Sequence, residues 1–291
     1  VKAAPFAYHR AESAKEAADV LAEFGDEAKV LAGGQSLIPL LAMRLTHFEN
    51  LVDISGIPEL QGIDRVDDEV VIGAGTSHAL VGMDDEVAES VPLLTRATPH
   101  IGHFQIRNRG TLGGAIAHAD PAAEFAAVAL TLDATIEAAS SRGDRRIAAS
   151  DFFTGLWENA LAADELLRAV RFPVWSGRTG FAVHEFARRH GDFAIAGATV
   201  AVELDAEDRV RRVAVGLLGL GSTPHRGTPA ERAVTGRPVS DIAADEFGRL
   251  ALSELHDIPA DLQGSASYRR RVGAAMVARA WTDATTEALD A

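Results

Sequence analysis

Two glycine pairs, each at the end of an apolar run, constrain this chain more than any other feature. The first lies in Lys29-Val30-Leu31-Ala32-Gly33-Gly34-Gln35-Ser36-Leu37-Ile38-Pro39, the second in Arg109-Gly110-Thr111-Leu112-Gly113-Gly114-Ala115-Ile116-Ala117-His118-Ala119-Asp120-Pro121. A Gly-Gly step removes side chains where a backbone must approach something closely, and it leaves successive N–H groups able to point at it. Ser36 and Thr111 add hydroxyl donors beside those groups. One such loop alone reads as an ordinary tight turn. Two with this flanking chemistry point to a ligand with two polar or anionic stretches, such as a dinucleotide pyrophosphate.

Other glycine-loop chemistries fail on the residues. A P-loop needs Gly-Lys-Ser/Thr, and no lysine follows Gly33 or Gly34. The Rossmann fingerprint needs three spaced glycines opening a helix; Gly73-Ala74-Gly75 and Gly219-Leu220-Gly221 both lack the third. A nucleophile elbow needs Gly-x-Ser-x-Gly, whereas Gly34-Gln35-Ser36 runs on into Leu37-Ile38. A phosphate cradle of another kind remains.

Composition narrows the partners. The chain has 291 residues, enough for one large or two ordinary domains, and carries 28 basic against 42 acidic residues for a net charge of −14. That field opposes nucleic acid as a partner. The clearest basic cluster, Arg269-Arg270-Arg271, reads as a solvated stretch at a helix start. Without cysteine, the chain holds no disulfide, thiolate metal site or cysteine-ligated iron–sulfur cluster. No apolar run approaches a membrane span and Val1-Lys2-Ala3-Ala4-Pro5 lacks a signal-peptide core, so a cytoplasmic location is expected.

Along the chain, Ser13-Ala14-Lys15-Glu16 forms a capping box ahead of Ala17, Val20, Leu21 and Phe24 at helical spacing, and Gly25 is a natural stop. Residues 28–32 read as a short buried strand entering the first glycine loop, 37–45 as a helix and 50–54 as a second strand. Strands are expected at 70–74, 134–139 and 165–172, and helices at 91–99 and 122–130, the latter started by Pro121. Pro173-Val174-Trp175-Ser176-Gly177 is the best linker. Beyond it, 181–187, 194–204 and 210–220 read as long strands, followed by helices at 229–234, 241–255 and 266–287. That order predicts an antiparallel sheet covered by helices.

Several polar residues have two readings. His100 and His103 share a spacing of three but lack a third ligand, and Gly102 breaks the helix between them, so a metal site is not expected. His118, after the second glycine pair, is either ligand-facing or a surface residue; His190 stands beside Gly191-Asp192. Asp120 and Glu124 either cap a helix start, worth ~0.3–1 kcal/mol each, or accept hydrogen bonds from ribose hydroxyls. Phe193 reads most simply as a core residue, though its place after Gly191-Asp192 leaves room for stacking on a planar ligand.

Taken with their order and spacing, these motifs resemble the FAD-binding medium subunit of the molybdenum hydroxylases, the xanthine dehydrogenase and carbon monoxide dehydrogenase family. The resemblance spans nearly the whole chain. It rests on Phe6-x-Tyr8-His9-Arg10, both glycine loops, Leu51-Val52-Asp53-Ile54, Gln105-Ile106-Arg107-Asn108, Asp120-Pro121, Asp164-Glu165-Leu166-Leu167, Arg189-His190-Gly191-Asp192-Phe193-Ala194 and Tyr268-Arg269-Arg270-Arg271. It implies an α+β fold: a two-part FAD-binding domain over 1–175 (a small α/β subdomain near 1–57 and a larger α+β one near 58–175), then a C-terminal domain of antiparallel sheet and helices over 178–291. By the same resemblance, Lys29 and Leu31 to Leu37 (Leu31, Ala32, Gly33, Gly34, Gln35, Ser36, Leu37), with Thr111, Leu112, Gly113, Gly114 and Ala115, surround FAD. His118, Asp120 and Glu124 line it, and Phe193, with Asp192 adjacent, stands beside the isoalloxazine. Ala115 stands where relatives often carry Ser or Asn, and Phe193 where some have Tyr.

No catalytic residue and no metal ligand is expected in this chain. The resemblance implies substrate oxidation at a molybdenum cofactor in a large subunit and electron flow through [2Fe-2S] clusters of a small subunit. FAD here would then pass electrons to an external acceptor, within a dimer of heterotrimers. An exposed apolar patch for docking is expected. Two other readings remain: a self-sufficient FAD oxidase with a covalent link at His118, and a nucleotide-binding module without redox function.

Overall fold

The computed structural model describes residues 2–291. Three larger sheets, each with helices against it, follow one another along the chain, and a two-stranded hairpin, Phe153–Gly155 with Glu158–Asn159, stands beside the second. In the first, Asn50–Asp53 lies between Ala7–Arg10 and Ala28–Leu31, all parallel. Parallel strands need crossovers, and the helix Ala14–Phe24 is one of them. Ser13 caps it by accepting from Glu16 N at 3.1 Å, and Gly25, at φ +51°, ends it.

The second sheet is antiparallel, in the order Ile63–Val66, Glu69–Gly73, Leu166–Pro173, Thr135–Ser140, Gly143–Ala148. The third, also antiparallel, orders Arg178–Phe186, Ala196–Leu204, Val210–Leu218 and His225–Arg226. The long helix Ala266–Asp290 crosses it so closely that a Cβ on Gly180 would overlap the Ala284 carbonyl. Mixed helix and sheet in this arrangement is the α+β architecture that the motifs imply.

The helix Glu124–Thr131 is wedged between the second and third sheets, and every residue after Glu124 in it is buried. Apolar on all sides, it shows none of the one-sided pattern of a surface helix. Thr131 Oγ1 meets Thr199 Oγ1 at 2.6 Å, which satisfies both buried hydroxyls. Its start differs from expectation by two residues. Asp120 takes the Ala122 N–H on its carboxylate at 2.8 Å and the Ala123 N–H on its carbonyl at 3.0 Å, so Pro121 sits in a turn and the helix begins at Glu124.

The stretch 173–177, expected as a linker, joins the second sheet to the third and is pinned in place: Trp175 is buried, its ring lies under the Arg212 guanidinium at 3.6 Å, and Phe181 meets it edge-on. One further expectation is corrected. Arg269 is buried, not solvated. It donates to the Ile195 and Gly219 carbonyls at 2.6 and 3.1 Å and to Asp261 at 2.7 Å, and Arg270 donates to Leu252 and Leu255. A guanidinium carries five donors in a fixed fork, so it can tie three segments at once where a helix start meets loop carbonyls.

Candidate functional site

The first glycine loop leaves the strand Ala28–Leu31 and enters the short helix Leu37–Ala42. Gly34 turns the chain at φ +72°, a region open to glycine at little cost. The loop's carbonyls are engaged: Gly33 accepts from Gln35 Nε2 at 3.0 Å, Gly34 from Ile38 N at 3.2 Å and Ser36 from Leu40 N at 3.3 Å. The N–H groups of Gly33, Gly34, Gln35 and Ser36 have no acceptor among the described residues. Four consecutive half-exposed donors around a left-handed residue make an anion cradle. Charged acceptors there are worth about 1.5–3 kcal/mol per bond, so a pyrophosphate can be held without a lysine or arginine.

The second loop is built differently. Leu112 N donates to Thr76 O at 2.9 Å, Gly113 N to Ala74 O at 3.0 Å, Gly114 N to Thr111 Oγ1 at 3.1 Å and Ala115 N to Thr111 O at 3.0 Å. Its glycine N–H groups, expected to face a ligand, are therefore spent inside the protein. Leu112 is fully buried, and a Cβ on Gly113 would overlap Ala74, so these glycines serve close packing. What the loop can still offer is the Thr111 hydroxyl proton, because that oxygen is already an acceptor.

The two loops touch. A Cβ on Gly33 would lie 2.7 Å from Gly110 Cα and overlap the Arg109 carbonyl, and a Cβ on Gly114 would lie 3.6 Å from Ala32 Cβ. His78 locks the second loop from behind. Its backbone N–H donates to Gly110 O at 2.9 Å, and Nε2 meets Thr111 O at 2.8 Å. Since a carbonyl only accepts, Nε2 carries the proton, and Nδ1 is left without a partner. Burial pushes His78 down to about 4, so the ring stays neutral. Sequence reasoning passed over His78; nothing in Ser77-His78-Ala79 announces that the start of the helix His78–Met83 will pair with the loop there.

Around this contact lie the other candidates. Lys29, on the strand beneath, is near enough to His118 to oppose its protonation; burial is the larger cause of that residue's lowered pKa, and Asp120 works the other way. The Lys29 ammonium also sits 5.7 Å from the centroid of the Phe48 ring. Leu31, Ala32 and Leu37 are half-buried beside the cradle. Asp120 accepts from Trp157 Nε1 at 3.2 Å as well as from Ala122 N. Trp157 itself is exposed at φ +58°, an uncommon conformation for a bulky residue.

Glu124 opens the wedged helix, and burial, reinforced by Asp120, raises its pKa. Asp192 pairs with Arg189 at 3.0 Å. Phe193 is 66% exposed rather than part of the core, so its ring is open to a planar ligand. Its loop rests on the segment before the second glycine loop: a Cβ on Gly191 would meet His103 at 2.9 Å. No group of three or more His, Asp or Glu that could hold a metal occurs among the described residues.

Known proteins share this fold. Residues 4–175 match the FAD binding domain in molybdopterin dehydrogenase, and residues 181–284 the CO dehydrogenase flavoprotein C-terminal domain. The 6-hydroxypseudooxynicotine dehydrogenase complex subunit alpha of Paenarthrobacter nicotinovorans is 40% identical, covering 96% of this chain and 94% of that one. Caffeine dehydrogenase subunit beta of Pseudomonas sp. (strain CBB1) is 39% identical, covering 96% and 95%. The structure of carbon monoxide dehydrogenase from Hydrogenophaga pseudoflava, lacking the Mo-pyranopterin moiety of its cofactor, superposes with a TM-score of 0.95 at 33% identity over 99% of both chains. The fold that carries the cradle is thus shared with proteins whose FAD binding domain is described as such. The chain belongs to the FAD-binding medium-subunit family of the molybdenum hydroxylases, an oxidoreductase family.

Proposed function

We propose that this chain is the flavoprotein subunit of a molybdenum-containing hydroxylase or dehydrogenase, and that it relays electrons from [2Fe-2S] clusters of a small partner subunit to an external acceptor. Substrate oxidation would fall to a large molybdenum-cofactor subunit, and the assembly would be a cytoplasmic dimer of heterotrimers. The observation that carries the reading is the row of four free N–H groups at 33–36 facing the second glycine loop. Bound FAD would supply two-electron redox chemistry that no side chain here offers.

The chain's own residues then have separable tasks. Gly33, Gly34, Gln35 and Ser36 donate to the pyrophosphate, and the Thr111 hydroxyl adds a donor from the facing loop. Gly113, Gly114 and Ala115 keep the wall thin enough for the cofactor to lie against it. Asp120 holds the turn ahead of Glu124, and Phe193 offers an exposed ring to the isoalloxazine, next to the Asp192–Arg189 pair. The division into 1–57, 58–175 and 178–291 follows the three sheets. Docking of partners is supported by Leu80 and Met83 on one helix and Phe104 on a helix touching it, which are 54%, 73% and 63% exposed.

The test is the visible spectrum of the purified chain, with the released cofactor identified after denaturation. The two-band absorption of oxidised flavin, with about one FAD per chain, supports the reading, and copurification of two further subunits supports the relay. A colourless protein that stays colourless in excess FAD overturns it. Flavin that stays attached after acid precipitation would instead favour a covalent link at His118.

A further inference from the structure

Arg107 is a cation spent on backbone. It ends the short helix Phe104–Arg107 and is half-buried. Both hydrogen bonds of its guanidinium go to carbonyls rather than to an acid: Nη1 donates to Ile101 O at 3.1 Å and to Gly102 O at 3.0 Å. Gly102 turns the chain there at φ +49°, and a Cβ on it would press on Ile106 at 3.2 Å. Bonds from a charged donor are the stronger kind. Held by two of them on successive carbonyls, the Ile101–Gly102 corner cannot open unless both break.

That corner stands between two parts of the molecule that the flavoprotein reading brings to one cofactor. On one side, the Ile106 carbonyl accepts from Arg109 N at 3.1 Å and Gly110 N at 2.7 Å, and Gly110 is the residue against which Gly33 packs. On the other side is the loop 187–195 between the strands Arg178–Phe186 and Ala196–Leu204, closed at its base by Ile195 N donating to Phe186 O at 2.8 Å. Gly191, at φ +82°, comes so close to the corner that a Cβ on it would lie 3.0 Å from Gly102 O and 2.9 Å from His103 Cε1. The carbonyl that Arg107 holds is therefore the one on which Gly191 rests. The rings of His103 and His190 meet beside it, with centroids 6.0 Å apart. Phe193 follows two residues after Gly191, exposed. A ring so exposed is placed by the backbone that carries it.

Resting on the flavoprotein reading above, we propose that Arg107 is a positioning residue: it seats the loop 187–195 on the Ile101–Gly102 corner and so sets where Phe193 stacks on the isoalloxazine. The guanidinium acts through the loop and not on the cofactor. Its two bonds fix the corner, the corner carries Gly191, and Gly191 carries Phe193. Without those bonds the seat yields and the ring loses its fixed place. Bound flavin then loses stacking contact, while the N–H groups of the cradle at 33–36 are untouched.

The experiment is a double-mutant cycle on the purified FAD-containing complex: wild type, Arg107→Met, Phe193→Ala and the double variant. Release of FAD on dilution, followed by the fluorescence of the free cofactor, gives the affinity, and circular dichroism of the visible flavin bands reports the ring's surroundings. Methionine keeps the apolar stem of Arg107 and removes its donors. Phe193→Ala is expected to weaken FAD binding about five- to tenfold by loss of one stacked ring. Arg107→Met should lose a similar factor and show the same change in dichroism, and the double variant should stay within about twofold of Phe193→Ala, because residues that act through one another are not additive. If Arg107→Met fails to fold, Gly191→Ala, which disturbs the same seat from the other side, takes its place in the cycle. Losses that multiply in the double variant, or wild-type FAD release in either single variant, overturn the inference and leave the flavoprotein reading standing. A wild-type complex without FAD overturns both.

Discussion

At the scale of single residues, the site depends on groups whose weight comes from burial rather than from type. Gly33 has no space for a Cβ against Arg109 and Gly110. Gly33→Ala should therefore push the loops apart and weaken FAD binding at least about tenfold, the equivalent of one lost charged hydrogen bond. Flavin content after gel filtration measures it. His78 gives a pH signature. Its pKa falls from 6.5 to about 4 on folding. A base held neutral contributes stability in full above 6.5 and loses it as pH falls toward 4, an effect on the order of 3 kcal/mol. Glu124 and Glu185 work in the opposite direction: burial raises them to about 7 and about 8, so each contributes most below 4.5 and loses that as pH rises through its raised value. Comparing Tm of wild type and His78→Gln, a neutral donor, across this range isolates the histidine: the two curves should separate as pH falls from 6.5 to 4, wild type losing stability that the variant keeps, and run parallel below that. The glycine loops were legible in the sequence because glycine pairs are local marks. His78 was not, because nothing local says that a polar residue will be buried against a partner far along the chain.

At the scale of elements, most strands and helices lie where periodicity and punctuation place them, with ends shifted by a few residues. Ser13 and Gly25 bound the first helix as a capping box and stop should. The exceptions occur where a side chain competes for the backbone, as Asp120 does ahead of the helix Glu124–Thr131. The start of the last helix is the larger surprise. Arg269, Arg270 and Arg271 are alike in sequence, yet the first two each donate to two carbonyls of other segments and only the first is buried. Arg269→Ala should cost about 1–3 kcal/mol for each of the two buried carbonyls it leaves unpaired, while half-exposed Asp261 keeps the Gln263 and Gly264 N–H groups. Arg271→Ala, by contrast, should stay within about 0.5 kcal/mol of wild type. Denaturant titration of both variants separates a structural tie from a solvated charge run.

At the scale of the whole molecule, contacts across sheet boundaries join units that the chain order lays out in series. Trp175, under Arg212 and against Phe181, belongs to a core that continues from the second sheet into the third. Arg96 adds a tie, donating to Phe181 and pairing with Glu287 at 2.6 Å. Trp175→Ala should cost about 3–5 kcal/mol by cavity formation and broaden or split the calorimetric unfolding transition. A sharp single transition at an unchanged temperature would show that the units are not coupled there. No helix among the described residues is long and apolar enough to cross a membrane.

The sequence by itself determined most of the longer elements, the two glycine loops and the family, because each of these is written in short runs: a period, a cap, a pair of residues without side chains; the helices His78–Met83 and Leu112–His118 were not among them. Only the tertiary structure decided which loop keeps its N–H groups free. The glycine pairs look equivalent as text, but one is zipped to residues 74–78 while the other stands clear of any acceptor. It also decided that Phe193 is exposed and Arg269 buried. A backbone donor's availability and a side chain's solvation depend on what the rest of the chain brings beside them, and that is fixed by packing between segments far apart in sequence.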